Sequence, residues 1–203
     1  MLRVSRAGRS ASDCHELDCG AFCERRSRIG FMTQQLLHPA ALDESALLSM
    51  CELRRQRRSG PGGQHRNKVE TAVVITHQPT GIQGEASERR SQEQNRRVAI
   101  RRLRVNLAIG HRTACVAEAY RPSELWRQRC RSQRISVNPA HEEFPAILAE
   151  AMNLLAACGW QTKEASGHLG CSPTQLLKLL QHEPRAYTEL NQQRSAIGLR
   201  PLR

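Results

Sequence analysis

Aromatic residues are scarce in this chain: two Trp, two Tyr and three Phe make up 3% of 203 residues. Neither a core nor a binding surface can therefore rest mainly on aromatic stacking. Long apolar runs are missing too. Stretches such as Ala146-Ile147-Leu148-Ala149 are far shorter than the roughly 20 residues a membrane-crossing helix needs, which excludes a transmembrane helix. The N-terminus has no apolar segment of the kind that marks a secretory signal. The eight cysteines, at 14, 19, 23, 51, 115, 130, 158 and 171, include no Cys-x-x-Cys pair. A zinc site at Cys14, His15, Cys19 and Cys23 is the weaker reading of a loose cluster. The chain reads instead as a cytoplasmic protein with reduced thiols, no metal and no cofactor.

Acidic residues are also in short supply, 19 Asp and Glu against 31 Lys and Arg, for a net charge of +12. The excess is uneven: residues 53–104 hold 13 cations against 4 acids, and 12 of those cations are Arg. A guanidinium grips phosphate with a planar two-pronged donor. So dense an Arg segment points to a polyanionic partner, most often nucleic acid, over a merely solvated face.

Residues 1–31 are rich in Arg, Ser and Cys and poor in large apolar side chains, and they read as disordered or as an extension upstream of Met32. Pro39–Met50 suits a short helix capped by Asp43 or Ser45. Residues 51–58 suit an exposed strand, and Ser59-Gly60-Pro61-Gly62-Gly63 must be a loop. Val69–His77 is β-branched and alternating, Pro79-Thr80-Gly81 is a turn, and residues 82–88 supply a partner strand. Ser91 caps a long helix with a buried stripe at Ala99, Ile100, Leu103 and Leu107 and a basic outer face, ended by Gly110. Residues 111–141 read as a basic linker with a second cationic run, Arg127–Arg134, beside Trp126. Beyond it come four helices. One carries Phe144, Ile147, Leu148, Ala151, Leu155 and Cys158 and stops at Gly159. The second covers residues 162–169 and stops at Gly170, and the third opens at Ser172-Pro173. Residues 184–197 complete the set.

The segment Ser59-Gly60-Pro61-Gly62-Gly63-Gln64-His65-Arg66-Asn67-Lys68 carries the candidate chemistry. Paired glycines allow positive φ and let backbone approach a crowded substrate. Gln64 offers an amide that both donates and accepts. With no general base, nucleophile or metal set, such a tip can act only by positioning water and offering donors to developing negative charge. That suits an activated ester more than an amide.

A lone Gly-Gly-Gln is weak evidence, but a hairpin follows it, and then Ser91-Gln92-x-x-Asn95 opens the Arg-rich helix. This order resembles the peptidyl-tRNA hydrolase domain of class I peptide chain release factors. The resembling stretch runs from about 53 to 108, through SGPGGQHRNKVETAVVITHQPTGI and ERRSQEQNRRVAIRRLRVNL. It implies an α+β fold: a small catalytic domain over 32–110, with a short mixed sheet and one long Arg-rich helix. A basic linker over 111–141 and a small all-α domain over 142–203 follow. It further implies that the loop enters the peptidyl transferase centre of the ribosome and hydrolyses the peptidyl-tRNA ester. Gly62, Gly63 and Gln64 are the catalytic residues, with Gln64 placing water. Contacts to rRNA or tRNA are expected from Arg54, Arg57, Arg58, His65, Arg66, Asn67, Lys68, Arg89, Arg90, Arg96, Arg97, Arg101 and Arg104. Ser91, Gln92 and Asn95 are expected to cap and brace rather than to touch RNA. In that family the glutamine is often N-methylated, which makes a glutamine methyltransferase acting on Gln64 a further partner; the chain is expected to be monomeric.

Only 61 residues precede Gly62, and the release factors' stop-codon tripeptides are missing. The chain thus looks like the short, codon-independent relatives that free stalled ribosomes. Damaged ribosomes or peptidyl-tRNA left on large subunits remain alternative substrates. The alternative of another class is a non-catalytic nucleic-acid-binding regulator. It rests on residues 163–176, which resemble a helix-turn-helix with Pro173–Gln181 as recognition helix.

Overall fold

The computed structural model describes residues 37–56 and 71–202, which belong to one compact unit spanning Gln35–Arg203. A 3-10 turn at Pro39–Ala41 precedes helix α1 (Glu44–Ser49). Asp43 caps α1 by accepting a hydrogen bond from the Ala46 N–H at 3.2 Å, so the expected single helix from Pro39 is two pieces.

Strands β1 (Cys51–Gln56), β2 (Ala72–His77) and β3 (Gln83–Ala86) form a sheet in that order. The sheet, expected to be mixed, is antiparallel throughout, and the short turn over residues 78–80 between β2 and β3 suits antiparallel pairing. β2 is central, and Val73, Val74 and Ile75 are all buried. β1 is an edge strand with Leu53, Arg54, Arg55 and Gln56 exposed, and charge along an edge discourages pairing with another chain.

Helix α2 (Gln92–Gly110) lies across the sheet, capped by the Ser91 hydroxyl. Ala99, Ile100, Leu103 and Leu107 form its buried stripe. The helix can sit this close to β3 because Gly84 has no side chain. A Cβ there would lie 2.3 Å from the Ala99 carbonyl oxygen and 2.4 Å from the Leu103 nitrogen.

The segment read as a linker is folded. It contains α3 (Glu124–Arg129) and a hairpin of β4 (Cys130–Arg131) and β5 (Arg134–Ile135), turned through Ser132 and Gln133, both at positive φ. Trp126, 1% exposed, donates its indole N–H to the Leu169 carbonyl at 2.8 Å. A tether from the middle of this segment thus reaches the last helices.

Helix α4 (Phe144–Ala157) buries Ile147, Leu148, Met152, Leu154 and Leu155 among others. It packs on α2 on one side and on α5 (Thr162–Leu169) and α6 (Pro173–Gln181) on the other. Gly170, at φ 66°, ends α5, and Ser172 caps α6 with Pro173 in the first turn, as the sequence pattern predicts. Helix α7 (Pro184–Ala196) closes the set. Arg185 on α7 reaches Asn106 of α2 at 2.8 Å.

Candidate functional site

The Gly-Gly-Gln segment connects two strands that are already paired. β1 ends at Gln56 and β2 starts at Ala72, and these residues face each other in register. Gly62, Gly63 and Gln64, with Arg57, Arg58, His65, Arg66, Asn67 and Lys68, lie outside the described residues. What the structure describes is the frame on either side of them.

Asn95 is the centre of that frame. It is fully buried on the first turns of α2, where an amide is costly unless every group is partnered. Its Nδ2 donates to the Thr71 carbonyl (2.7 Å) and the Arg89 carbonyl (2.9 Å), and its Oδ1 accepts the Arg89 N–H (2.9 Å). One side chain therefore ties the root of the loop, at Thr71, to the bend before α2 and to the helix itself. The expected brace is present at Asn95, and Ser91 caps the helix, accepting the Gln94 N–H at 3.5 Å.

The described arginines divide into two groups. Several are held by local acids: Arg54 by Glu52 (2.7 Å), Arg96 by Glu44 (3.2 Å) and Arg97 by Glu93 (3.2 Å). Arg102, which the sequence did not single out, bonds Glu88 at 2.7 Å and the Glu85 carbonyl at 2.8 Å. Its guanidinium holds the Glu88 carboxyl below the ordinary range. Exposed pairs of this kind are worth only about 0.2–1 kcal/mol, so a phosphate can replace the carboxylate at little cost.

Arg101 instead donates to the Pro139 carbonyl at 2.5 Å. The Arg104 Nε is buried with no partner among the described residues. Arg97, Arg101 and Arg104 share a groove of about 500 Å³ with Glu44, Glu93 and Glu142. Three cations against three acids leave it balanced rather than strongly positive. Arg89 and Arg90 are exposed just before α2.

The far end of the sheet is built differently. His77, 2% exposed, contacts Thr80 Oγ1 through Nδ1 at 2.8 Å, and its Nε2 lacks a partner among the described residues. His38 accepts the Ala40 N–H on Nδ1 (3.1 Å) and lies 3.2 Å from the His111 carbonyl through Nε2. Both contacts suit the neutral ring, and burial pushes its pKa down to about 4. Arg112 places its guanidinium on the Ala108, Ile109 and His111 carbonyls (2.6–2.9 Å), satisfying the open end of α2. His38 and Arg112 thus hold the end of α2.

The helix that the alternative reading makes a recognition helix is α6. Its first turn is occupied by the β4–β5 hairpin: the Ser172 N–H donates to the Gln133 carbonyl (3.2 Å), and Gln175 Oε1 accepts the Ile135 N–H (3.4 Å). Lys178 is the single cation on α6. Arg131 and Arg134 of the second basic run are exposed on this hairpin, while Arg127 and Arg129 pair with Glu124 (2.6 Å) and Glu143 (2.7 Å).

Comparison with known proteins places the frame. The RF-1 domain family matches residues 48–142, from the end of α1 to just before α4. Peptide chain release factor 1 of Xylella fastidiosa is 45% identical over 80 residues, which are 39% of this chain and 22% of the relative. The release factor 1 of Acidiphilium cryptum is 46% identical over 81 residues, 39% of this chain and 23% of the relative. The mouse protein "Peptide chain release factor 1-like, mitochondrial" is 34% identical over 105 residues, 50% of this chain and 28% of the relative. The chain thus spans between about a fifth and just over a quarter of the length of these relatives. No solved structure matches it significantly. No helix among the described residues is long and apolar enough to cross a membrane. The paired strands, the Asn95 clamp and the Arg-bearing helix all lie within residues 48–142, the stretch that matches the RF-1 domain, and this match and the release-factor relatives support a domain of the class I release-factor type there.

Proposed function

We propose that this protein hydrolyses the ester between nascent peptide and tRNA on the ribosome, and that it does so without reading a codon. The observation that carries the reading is the clamp at the loop root. Gln56 and Ala72 are paired, and Thr71 is fixed by buried Asn95, so the segment holding Gly62, Gly63 and Gln64 leaves a rigid base. A catalyst without base or nucleophile works by positioning, and positioning needs such a base.

Gln64 orients the attacking water, and donors at the tip stabilise the charge that develops on the carbonyl oxygen or on the leaving ribose hydroxyl. Gly62 and Gly63 let the backbone come close to the tRNA end. Arg54, Arg89, Arg90, Arg97 and Arg101, with the cations of residues 57–68, take rRNA and tRNA phosphates, exchanging carboxylates for phosphates where they are paired. The partners are therefore the ribosome and peptidyl-tRNA, in the cytoplasm, and Gln64 is a substrate for a glutamine methyltransferase.

The described residues before the loop include a 3-10 turn, α1 and the edge strand β1, and those beyond the RF-1 match include helices α4–α7. Codon independence is the part of the proposal that the release test decides.

The test is peptide release from ribosomes halted on an mRNA that ends without a stop codon, beside ribosomes with a stop codon in the decoding site. Equal release from both is expected. Release confined to stop-codon complexes would remove the codon-independent part, and release from neither would remove the hydrolase.

A further inference from the structure

Away from the loop frame, three kinds of metal-binding atom meet between α4 and α5. The thiol of Cys158, the carboxylate of Glu164 and the imidazole of His168 each place one donor atom within 4.8 Å of the others. They lie beyond the RF-1 match, which ends at residue 142, and the proposed function assigns them no role.

Local structure explains the meeting. Glu164 and His168 are four residues apart on α5, so they share one face. Cys158 is the residue at which α4 ends, followed by Gly159 at φ 57° and Trp160 at φ 60°. Two left-handed residues in succession turn the chain so that α5 begins at Thr162. A bulky residue at positive φ is strained and persists only where its surroundings hold it. Here the Trp160 N–H donates to the Leu155 carbonyl (2.7 Å), Arg194 donates to the Trp160 carbonyl (2.6 Å), and the Arg112 guanidinium lies 5.6 Å from the indole centroid. The thiol is thus fixed from the α4 side and the other two donors from the α5 side of a braced turn.

We propose that Cys158, Glu164 and His168 form a zinc site. Zinc takes sulfur, nitrogen and oxygen at about 2.0–2.3 Å in a tetrahedron, so the donors need to close by only about an ångström. Glu164 and His168 are exposed, so they can do this by side-chain rotation alone, while Cys158 is buried and stays in place. Mixed S/N/O donors favour zinc over magnesium or calcium, which prefer oxygen alone. Three protein ligands leave the fourth position to water. The depression beside the group, lined by Gln161, Lys163, Glu164, Gly167 and His168, opens to solvent and gives the ion its path. A bound ion links the end of α4 to α5 and pins the turn between them. This inference does not depend on the hydrolase reading.

The test is titration of the full-length, chelator-treated protein with cobalt(II) as a spectroscopic stand-in. One equivalent should bind with a near-ultraviolet thiolate-to-cobalt band and tetrahedral visible bands, displaced by zinc. Cys158→Ser should abolish the thiolate band. His168→Ala, at an exposed position that folding tolerates, should weaken affinity more than about tenfold, the lower end of the loss that even an outer-shell partner causes. A variant with Cys14, Cys19 and Cys23 all changed to Ser should keep the signal. No thiolate band, a band that survives in Cys158→Ser, a band lost in the triple variant, or binding only at millimolar cobalt would overturn the proposal.

Discussion

Helices α2 and α4 pack against each other and are built to opposite rules. α2 carries five arginines in 19 residues and buries one stripe. α4 carries one charged residue, Glu150, in 14 residues and buries nine of them. A helix apolar on most of its surface belongs inside, and one with a single apolar stripe belongs at the surface. α4 is therefore an inner wall, with α2 and the sheet on one side and the later helices on the other. α2 faces both ways, since its inner side holds the loop root through Asn95 and its outer side offers cations. In the proposed function, binding and delivery are divided between the two faces of one helix, which packs against α4.

Substitutions should separate wall from working helix. The largest expected effect is in the wall: Leu148→Ala, at a fully buried position, should cost about 2–5 kcal/mol, read by denaturant unfolding. A loss below about 1 kcal/mol would mean that α4 is not the inner wall.

Acid should act at the junction between the 3-10 turn and the end of α2. The folded pKa of His38 is lowered to about 4 by burial, against an ordinary value of 6.5. The unfolded chain therefore binds the proton first. His38's share of stability is complete above about pH 6.5 and lost as pH falls toward 4, about 3 kcal/mol in all. Unfolding measured across that range should show this slope in the wild type and a shallower one in His38→Gln.

Asn95→Ala leaves the Thr71 and Arg89 carbonyls and the Arg89 N–H without their partner, at a cost of about 1–3 kcal/mol. If the clamp positions the loop, release should fall further than the loss of folded protein explains, with ribosome binding kept. Release falling only in step with folded protein would make Asn95 purely structural.

Smallest in stability is the outer face. Arg97→Gln with Arg101→Gln should change stability by no more than about 0.5 kcal/mol yet weaken ribosome binding and reduce its salt dependence. Binding indifferent to both salt and these changes would remove the docking role.

Much of the fold is legible in local pattern. The caps at Asp43, Ser91 and Ser172, the stop at Gly170 and the buried stripe of α2 all follow from neighbours within a few residues. The parts that were not legible depend on distant partners. Trp126 reads as part of a linker until its indole meets Leu169, 43 residues away. Arg112 reads as one more cation until it closes the end of α2 and covers Trp160. The basic face of α2 reads as free charge until it is seen to pair with Glu44 of α1, Glu88 of the bend before α2 and Glu93 of its own first turn. At the site the motif suggested a chemistry and a brace, but the target of the Asn95 amide, Thr71, lies 24 residues away and no periodicity reveals it.

The central claim is that Gln64, delivered by a braced loop, performs the hydrolysis. Its most direct test is single-turnover release from saturating stalled ribosomes by wild type and Gln64→Ala, with ribosome affinity measured alongside. Affinity should be unchanged and the release rate should fall on the order of a hundredfold, the loss expected when one transition-state donor is removed. An unchanged rate at equal affinity would contradict the account.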